Sequence, residues 1–211
     1  MRIGIIGAGN VGTALARRLA PQGHDFMLSY SRNPDKLART AEQYHADMAS
    51  PAKTAEWADV LALTVPWAAV ADAIAQAGDL TGKILWDCTN ALRPDMKGLV
   101  IGTTTSGGEE VARLATGARV VKGIPPMAEL LHSDDPTVNG RPVGLFVAGD
   151  DPEAKRLVAE LLAALPGDVV DAGDLTAARF IEPAMMLLVR LAYAQGHGPR
   201  SSFTFNSEHV A

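Results

Sequence analysis

The chain has 211 residues, 47% of them hydrophobic, with 19 Lys and Arg against 24 Asp and Glu for a net charge of −5. That composition suits one well-buried soluble domain with little left for a second, and without a basic field it excludes nucleic acid and an anionic membrane surface as partners. A single cysteine, Cys88, and five scattered histidines exclude an internal disulfide, give no metal-ligand spacing and point to a reducing cytoplasm. With a first strand expected from residue 2 there is no room for a signal peptide. The longest uncharged apolar stretch, 60–71, contains Pro66 and is too short for a membrane helix.

Residues 2–6 (RIGII) read as a buried strand that runs straight into GAGNVG at 7–12. Gly7 permits the tight turn, Gly9 removes the side chain that would block a pyrophosphate, and Gly12 lets the following helix lie close to the strand. Strand before and helix after, at 14–19, make this a dinucleotide-binding turn, with the backbone N–H groups at that helix start facing the phosphates. The next strand, 26–30, ends in SRNPDK at 31–36. No acid stands where NAD would need one for its ribose; Ser31, Arg32 and Lys36 instead suit the doubly charged 2′-phosphate of NADP. Ser31 and Asn33-Pro34 also read as a helix cap, with Arg32 as a solvated charge, and the two readings are compatible.

A helix follows at 35–45, with Leu37, Ala38, Ala41 and Tyr44 on one side, then a short helix at 51–57 and a continuous apolar strand at 60–65. Pro66-Trp67 ends that strand and starts a helix at 68–77. Another strand is expected at 83–88 and a looser segment at 90–105; Ser106, with Glu109 three residues on, caps a helix to about 115. Beyond it come a strand at 119–122, the proline-broken GIPPM at 123–127, a strand at 143–148, a helix at 152–165, a strand at 169–171, a helix at 175–193 and a polar tail at 196–211. Buried-type strands separated by helices imply an α/β, Rossmann-type doubly wound sheet, mostly parallel, with helices on both faces and a small C-terminal helical extension. The whole chain, 1–211, reads as a single NADP-binding domain, with 174–211 as the extension.

Ligands of such sheets bind at the carboxyl ends of the strands, which brings Gly7 to Gly12, Ser31-Arg32, Val65-Pro66-Trp67, Thr89-Asn90 and Gly123-Ile124-Pro125 to one cleft. Pro66 and Trp67 suit a flat wall beside the nicotinamide, although Trp67 reads equally well as a core tryptophan. Asn90 reads equally as a hydrogen-bonding partner of the nicotinamide and as a turn cap. Lys122, Glu129 and His132 are the other polar groups nearby. Lys122 ends a strand and reads as facing water, and His132 reads as part of a solvated loop. The cleft shows no Ser/His/Asp set and no paired carboxylates, so no catalytic side chain is assigned.

In order and spacing, GAGNVG at 7–12, SRNPDK at 31–36, LTVPW at 63–67, GIPPMA at 123–128, VAGDDPEAK at 147–155 and VDAGDL at 170–175 resemble the coenzyme F420-dependent NADP oxidoreductases. The resemblance implies hydride transfer between NADP(H) and a deazaflavin, commonly in a dimer. It places Ala8 to Val11 on the pyrophosphate, Ser31, Arg32 and Lys36 on the 2′-phosphate, and Val65-Pro66 at the nicotinamide. Ile124-Pro125 would line the deazaflavin pocket, and we place Met127 against the same ring. Transfer between two ring carriers asks a protein mainly for stacking and orientation, which fits the lack of acid and base. Residues 87–91 (DCTNA) depart from the apolar, proline-containing turn expected there. That departure leaves open an NADPH-dependent reductase of another small carbonyl, imine or metal-bound substrate; a non-catalytic NADP(H) sensor is the reading from a different class. The apolar run 183–189 needs cover on every face, either inside the chain or, as we favour, in a symmetric homodimer.

Overall fold

The computed structural model describes residues 1–30, 33–165 and 167–208. Two expected phosphate ligands, Ser31 and Arg32, lie outside the described residues.

The chain alternates strand and helix as β1 (Arg2–Ile6), α1 (Asn10–Leu19), β2 (Asp25–Ser29), α2 (Pro34–Gln43), β3 (Asp47–Met48), α3 (Pro51–Trp57), β4 (Val60–Leu63), α4 (Val70–Ala77) and β5 (Ile84–Asp87). It continues as α5 (Gly107–Leu114), β6 (Arg119–Gly123), α6 (Ala128–His132), β7 (Val143–Gly149), α7 (Pro152–Ala163), β8 (Gly167–Asp171) and α8 (Ala178–Val189). The eight strands form one sheet in the order β3-β2-β1-β4-β5-β6-β7-β8. Every neighbouring pair is parallel except β6 and β7. The strand order reverses between β1 and β4, and such a reversal opens a crevice at the carboxyl ends of those strands.

Alternate residues of each strand feed two cores, as the period of two requires. Ile3, Ile5, Ala62, Trp86 and Val121 pack with α1, α6 and α7 on one face. Ile6, Leu61, Leu63, Leu85 and Val120 pack with α3, α4 and α5 on the other. The fully buried tryptophan is Trp86, whose indole N–H donates to Gly123 O at 2.7 Å. Among the described residues no helix is long and apolar enough to cross a membrane.

Several boundaries differ from the sequence reading. The strand expected over 60–65 stops at Leu63, because Thr64 turns its hydroxyl onto the carbonyls of Ile6 and Gly7 at 3.2 and 2.7 Å. The helix expected over 175–193 divides into a short turn at 175–177, α8, and a wider turn at 190–194. The tail packs back on β7. Gly144 N donates to Phe203 O at 2.7 Å, and the Phe205 ring meets Phe146 edge-on at 6.5 Å.

A side chain on Gly12 would sit 2.0 Å from Gly7 O and 2.8 Å from the Thr64 hydroxyl. At Gly9 a Cβ would meet nothing within 4 Å, and its φ of −82° suits any residue. Gly12→Ala should therefore destabilise the fold by at least about 1–3 kcal/mol through overpacking, while Gly9→Ala leaves stability unchanged. Thermal unfolding of the two variants side by side reads the difference.

Candidate functional site

The glycine turn is built and pinned by backbone contacts. Gly7 adopts φ +118°, its N–H donates to Ser29 O at 3.0 Å, and its carbonyl accepts from Thr64. The expected strand-turn-helix geometry is present. The start of α1 is also left open. Asn33, Ser50, Ser106 and Asp151 cap α2, α3, α5 and α7 with side-chain oxygens, whereas Gly9 offers none to α1 and no acid stands in its first turn. The first N–H groups of a helix need an acceptor from elsewhere, and with the helix dipole they favour an anion.

At the end of β2, Tyr30 takes φ 56° and its hydroxyl donates to Asp72 Oδ2 at 2.6 Å, joining this strand end to α4. Asn33 caps α2 by accepting from the Lys36 N–H at 3.0 Å. At the end of β4, Val65 is buried, Pro66 is exposed and Trp67 is half-buried. Trp67 thus packs against the edge of the core under α3, α4 and α5 without being fully buried. Its ring approaches Gly107, where a Cβ would lie 3.1 Å from Trp67 Cζ3.

Lys122 does not face water. Val120 and Lys122 point to the same side of β6, and Asp87 is the register partner of Lys122 on β5. The Lys122 ammonium, fully buried, donates to Asp87 Oδ2 at 2.9 Å, Thr89 O at 2.7 Å and Glu182 Oε1 at 2.8 Å. Glu182 comes from α8 and is itself buried. Its two oxygens also accept from the N–H groups of Gly107 and Gly108, both at 2.8 Å, and so close the start of α5. Asp87 accepts from the Thr89 N–H and hydroxyl at 2.9 and 2.7 Å. Paired carboxylates therefore do exist at the strand ends, contrary to the sequence reading, but they are sealed around a lysine. Burial disfavours the ammonium, yet Asp87 and Glu182 more than offset it and hold its pKa above the ordinary lysine value. Burial pushes the neighbouring Cys88 thiol well up, which keeps it un-ionised and unreactive.

Asn90 is not a side-chain turn cap. Its Nδ2 donates to the main-chain carbonyl of Glu182 at 3.2 Å, and its Oδ1 is buried without a partner. The Ser106 cap is confirmed, since Ser106 Oγ accepts from Glu109 N at 3.1 Å and donates to Glu109 Oε2 at 2.7 Å. Arg179 of α8 adds two further bonds to the Glu109 carboxylate, at 2.9 and 2.5 Å, and holds it below the usual carboxylate range.

Ile124, Pro125 and Met127 come together with Met185, Leu188 and Phe203 around a cavity of about 10 Å³, the space of one water. The tail forms its outer wall. Nearby, the Tyr193 hydroxyl donates to Glu129 at 3.0 Å, and burial with that carboxylate pushes the phenol pKa up to about 12. His132 is exposed but not in a free loop: it ends α6, and its Nε2 lies 3.2 Å from Asn10 O at the start of α1.

The family of coenzyme F420-dependent NADP oxidoreductases matches residues 2–91. A protein of Arthrobacter sp. FB24, provisionally named an F420-dependent NADP reductase, superposes with a TM-score of 0.86 at 30% identity, covering 97% of this chain and 99% of that one. The chain belongs to this NADP oxidoreductase family. The metalloreductase STEAP3 of Rattus norvegicus is 27% identical over 188 residues, 89% of this chain, although the chain spans 37% of that protein's length. A reductive aminase of Aspergillus terreus solved with NADPH shares the fold at 22% identity and TM-score 0.68, covering 92% of this chain and 63% of the other.

Removing the ammonium would leave Asp87 and Glu182 buried together. Lys122→Met should cost about 3–5 kcal/mol, the range for breaking a buried ion pair. Because the folded pKa of Lys122 is raised, its contribution is complete below the unfolded lysine value of about 10.4 and is lost as pH rises through the folded value. Unfolding free energies measured from pH 7 to 12 should show that alkaline loss in the wild type and a smaller one in Lys122→Met.

Proposed function

We propose that this chain transfers hydride between NADP(H) and coenzyme F420 or a similar deazaflavin, as one dinucleotide-binding domain over 1–211 whose residues 174–211 supply a pocket wall and a subunit interface. The observation that carries the cofactor half is the open start of α1 beside Gly9, where the space a side chain would fill stays free. In this reading the main chain of Gly7, Ala8, Gly9, Asn10, Val11 and Gly12 holds the pyrophosphate. Ser31, Arg32 and Lys36 hold the 2′-phosphate, and Val65, Pro66, Trp67, Thr89 and Asn90 surround the nicotinamide. NADPH supplies the hydride. The chain's own work is to orient the ring against Pro66 and Trp67, and its buried acid and base groups are locked into one another, which suits a transfer without a side-chain proton donor.

The second substrate would meet Ile124, Pro125 and Met127. A deazaflavin ring is far larger than the cavity there, so this reading requires the tail at Ser201–Phe203 to lift. The same small cavity favours, as a second reading, an NADPH-dependent reductase of a smaller carbonyl, imine or metal-bound compound. Mixing NADPH-loaded protein with oxidised F420 in a stopped-flow cell separates them. Nicotinamide absorbance should fall in a single turnover; no change with F420, together with turnover of a small imine or carbonyl, would transfer the assignment to the second reading.

Along α8, Phe180, Ala184 and Leu187 fall on one face by helical spacing, and Phe180 is 76% and Leu187 50% exposed. We propose that this face pairs with its copy in a symmetric homodimer, in a cytoplasmic setting. Phe180→Asp should convert the dimer to a monomer in sedimentation velocity runs, and an unchanged profile would refute this interface. For cofactor choice, Arg32→Ala should weaken NADPH more than NADH by about 2 kcal/mol, the worth of a charged hydrogen bond, and Gly9→Val should abolish binding of both in a folded protein. Titrations with the two cofactors decide both points, and equal losses in Arg32→Ala would remove the 2′-phosphate assignment.

A further inference from the structure

We propose that Glu182 is a positioning residue for the nicotinamide half of the cofactor, acting through Asn90 and Trp67. The proposal rests on the reading of the glycine turn as an NADP(H) site. A buried carboxylate in an otherwise apolar stretch of helix calls for a reason, because an apolar side chain of similar volume commonly serves stability as well or better. The partners of Glu182 supply one, since all lie at the carboxyl edge of the sheet.

Its main-chain carbonyl takes one N–H of the Asn90 amide at 3.2 Å. That bond fixes which way round the amide lies and leaves Oδ1 as a buried acceptor with nothing to accept from. Buried acceptors are nearly always satisfied. One left open just after β5, beside the crevice where the strand order reverses, fits an N–H or O–H donor of the ligand, of the kind that a nicotinamide carboxamide or its ribose carries. The Glu182 side chain meanwhile grips the Gly107 and Gly108 N–H groups, and the Trp67 ring lies against Gly107. A Cβ there would come within 3.1 Å of Trp67 and of both Glu182 oxygens at once. Lys122 ties the same carboxylate to Asp87 and to the Thr89 carbonyl, so the turn carrying Thr89-Asn90 and the support of Trp67 share one anchor. In the NADP(H) reading the adenosine half of the cofactor would lie at the ends of β1 and β2, away from these groups.

That separation gives the test. Full-length wild type, Glu182→Gln and Asn90→Ala are titrated with NADPH and with adenosine 2′,5′-bisphosphate, the cofactor's adenine half. Both variants should hold the bisphosphate within about twofold of wild type and bind NADPH about tenfold more weakly, the loss expected for one hydrogen bond. If Glu182→Gln does not fold, Lys122→Met/Glu182→Gln, which keeps the net charge of the cluster, takes its place with the same expected split. A merely structural role lowers the melting temperature without separating the two ligands, so equal losses, or none in a folded variant, overturn the proposal. If wild type itself fails to bind the bisphosphate, the NADP(H) reading falls first and this one with it.

Discussion

The Lys122 ammonium has three N–H bonds and three acceptors within 2.9 Å, and the arrangement of the sheet's carboxyl edge follows from satisfying them. Asp87 and Thr89 bring the end of β5 to it, and Glu182 brings α8. Two carboxylates around one ammonium leave an excess negative charge, which the Gly107 and Gly108 N–H groups and the positive end of the α5 dipole offset. Charges this deeply buried are tolerable only when every lone pair and proton is matched, so the set holds together or fails as a unit. The C-terminal helix is thereby fixed to the strand ends instead of packing wherever its apolar surface finds cover.

A second constraint is steric. Gly12 approaches Gly7 O so closely that no side chain fits, and this contact sets how near α1 lies to β1. Thr64 completes the arrangement from β4, so three segments distant in sequence define one turn. The pattern of faces follows from the strand period: odd residues of β1 pack beneath α1, while Asp87 and Lys122 project to the opposite side, where α5 and α8 cover them.

Local signals in the sequence were legible wherever the physics is local. The glycine turn, the Ser106 cap and the alternation of buried strands with helices each depend on residues within a few positions of one another. Lys122 was misread because a lysine at a strand end ordinarily extends into water, and its partner Glu182 lies 60 residues away in a run dominated by apolar side chains. One signal could have been used: an acid isolated in IEPAMMLLV is costly to bury alone and implies a cation opposite. Thr64, which pins the glycine turn, was read only as part of a strand. Its hydroxyl next to an apolar run was the available hint. The antiparallel β7 and the docked tail depend on long-range pairing that no local periodicity encodes, and His132 sits against Asn10 only because α6 packs on α1.

The glycine turn is complete before any ligand arrives. Its N–H to Ser29 and its carbonyl to Thr64 are contacts of the folded protein itself, so the conformational entropy of shaping this loop is lost during folding and not again at binding. In the reading proposed above, the phosphates of a dinucleotide would meet donors already in place, and the free energy of each contact would appear as affinity instead of being spent on ordering the loop. For this part of the cleft the free protein and its cofactor complex should have nearly the same backbone. In the same reading, adaptation to different ligands would fall to the elements around it: the turn after β5, and the tail that lines the cavity at Ile124–Met127.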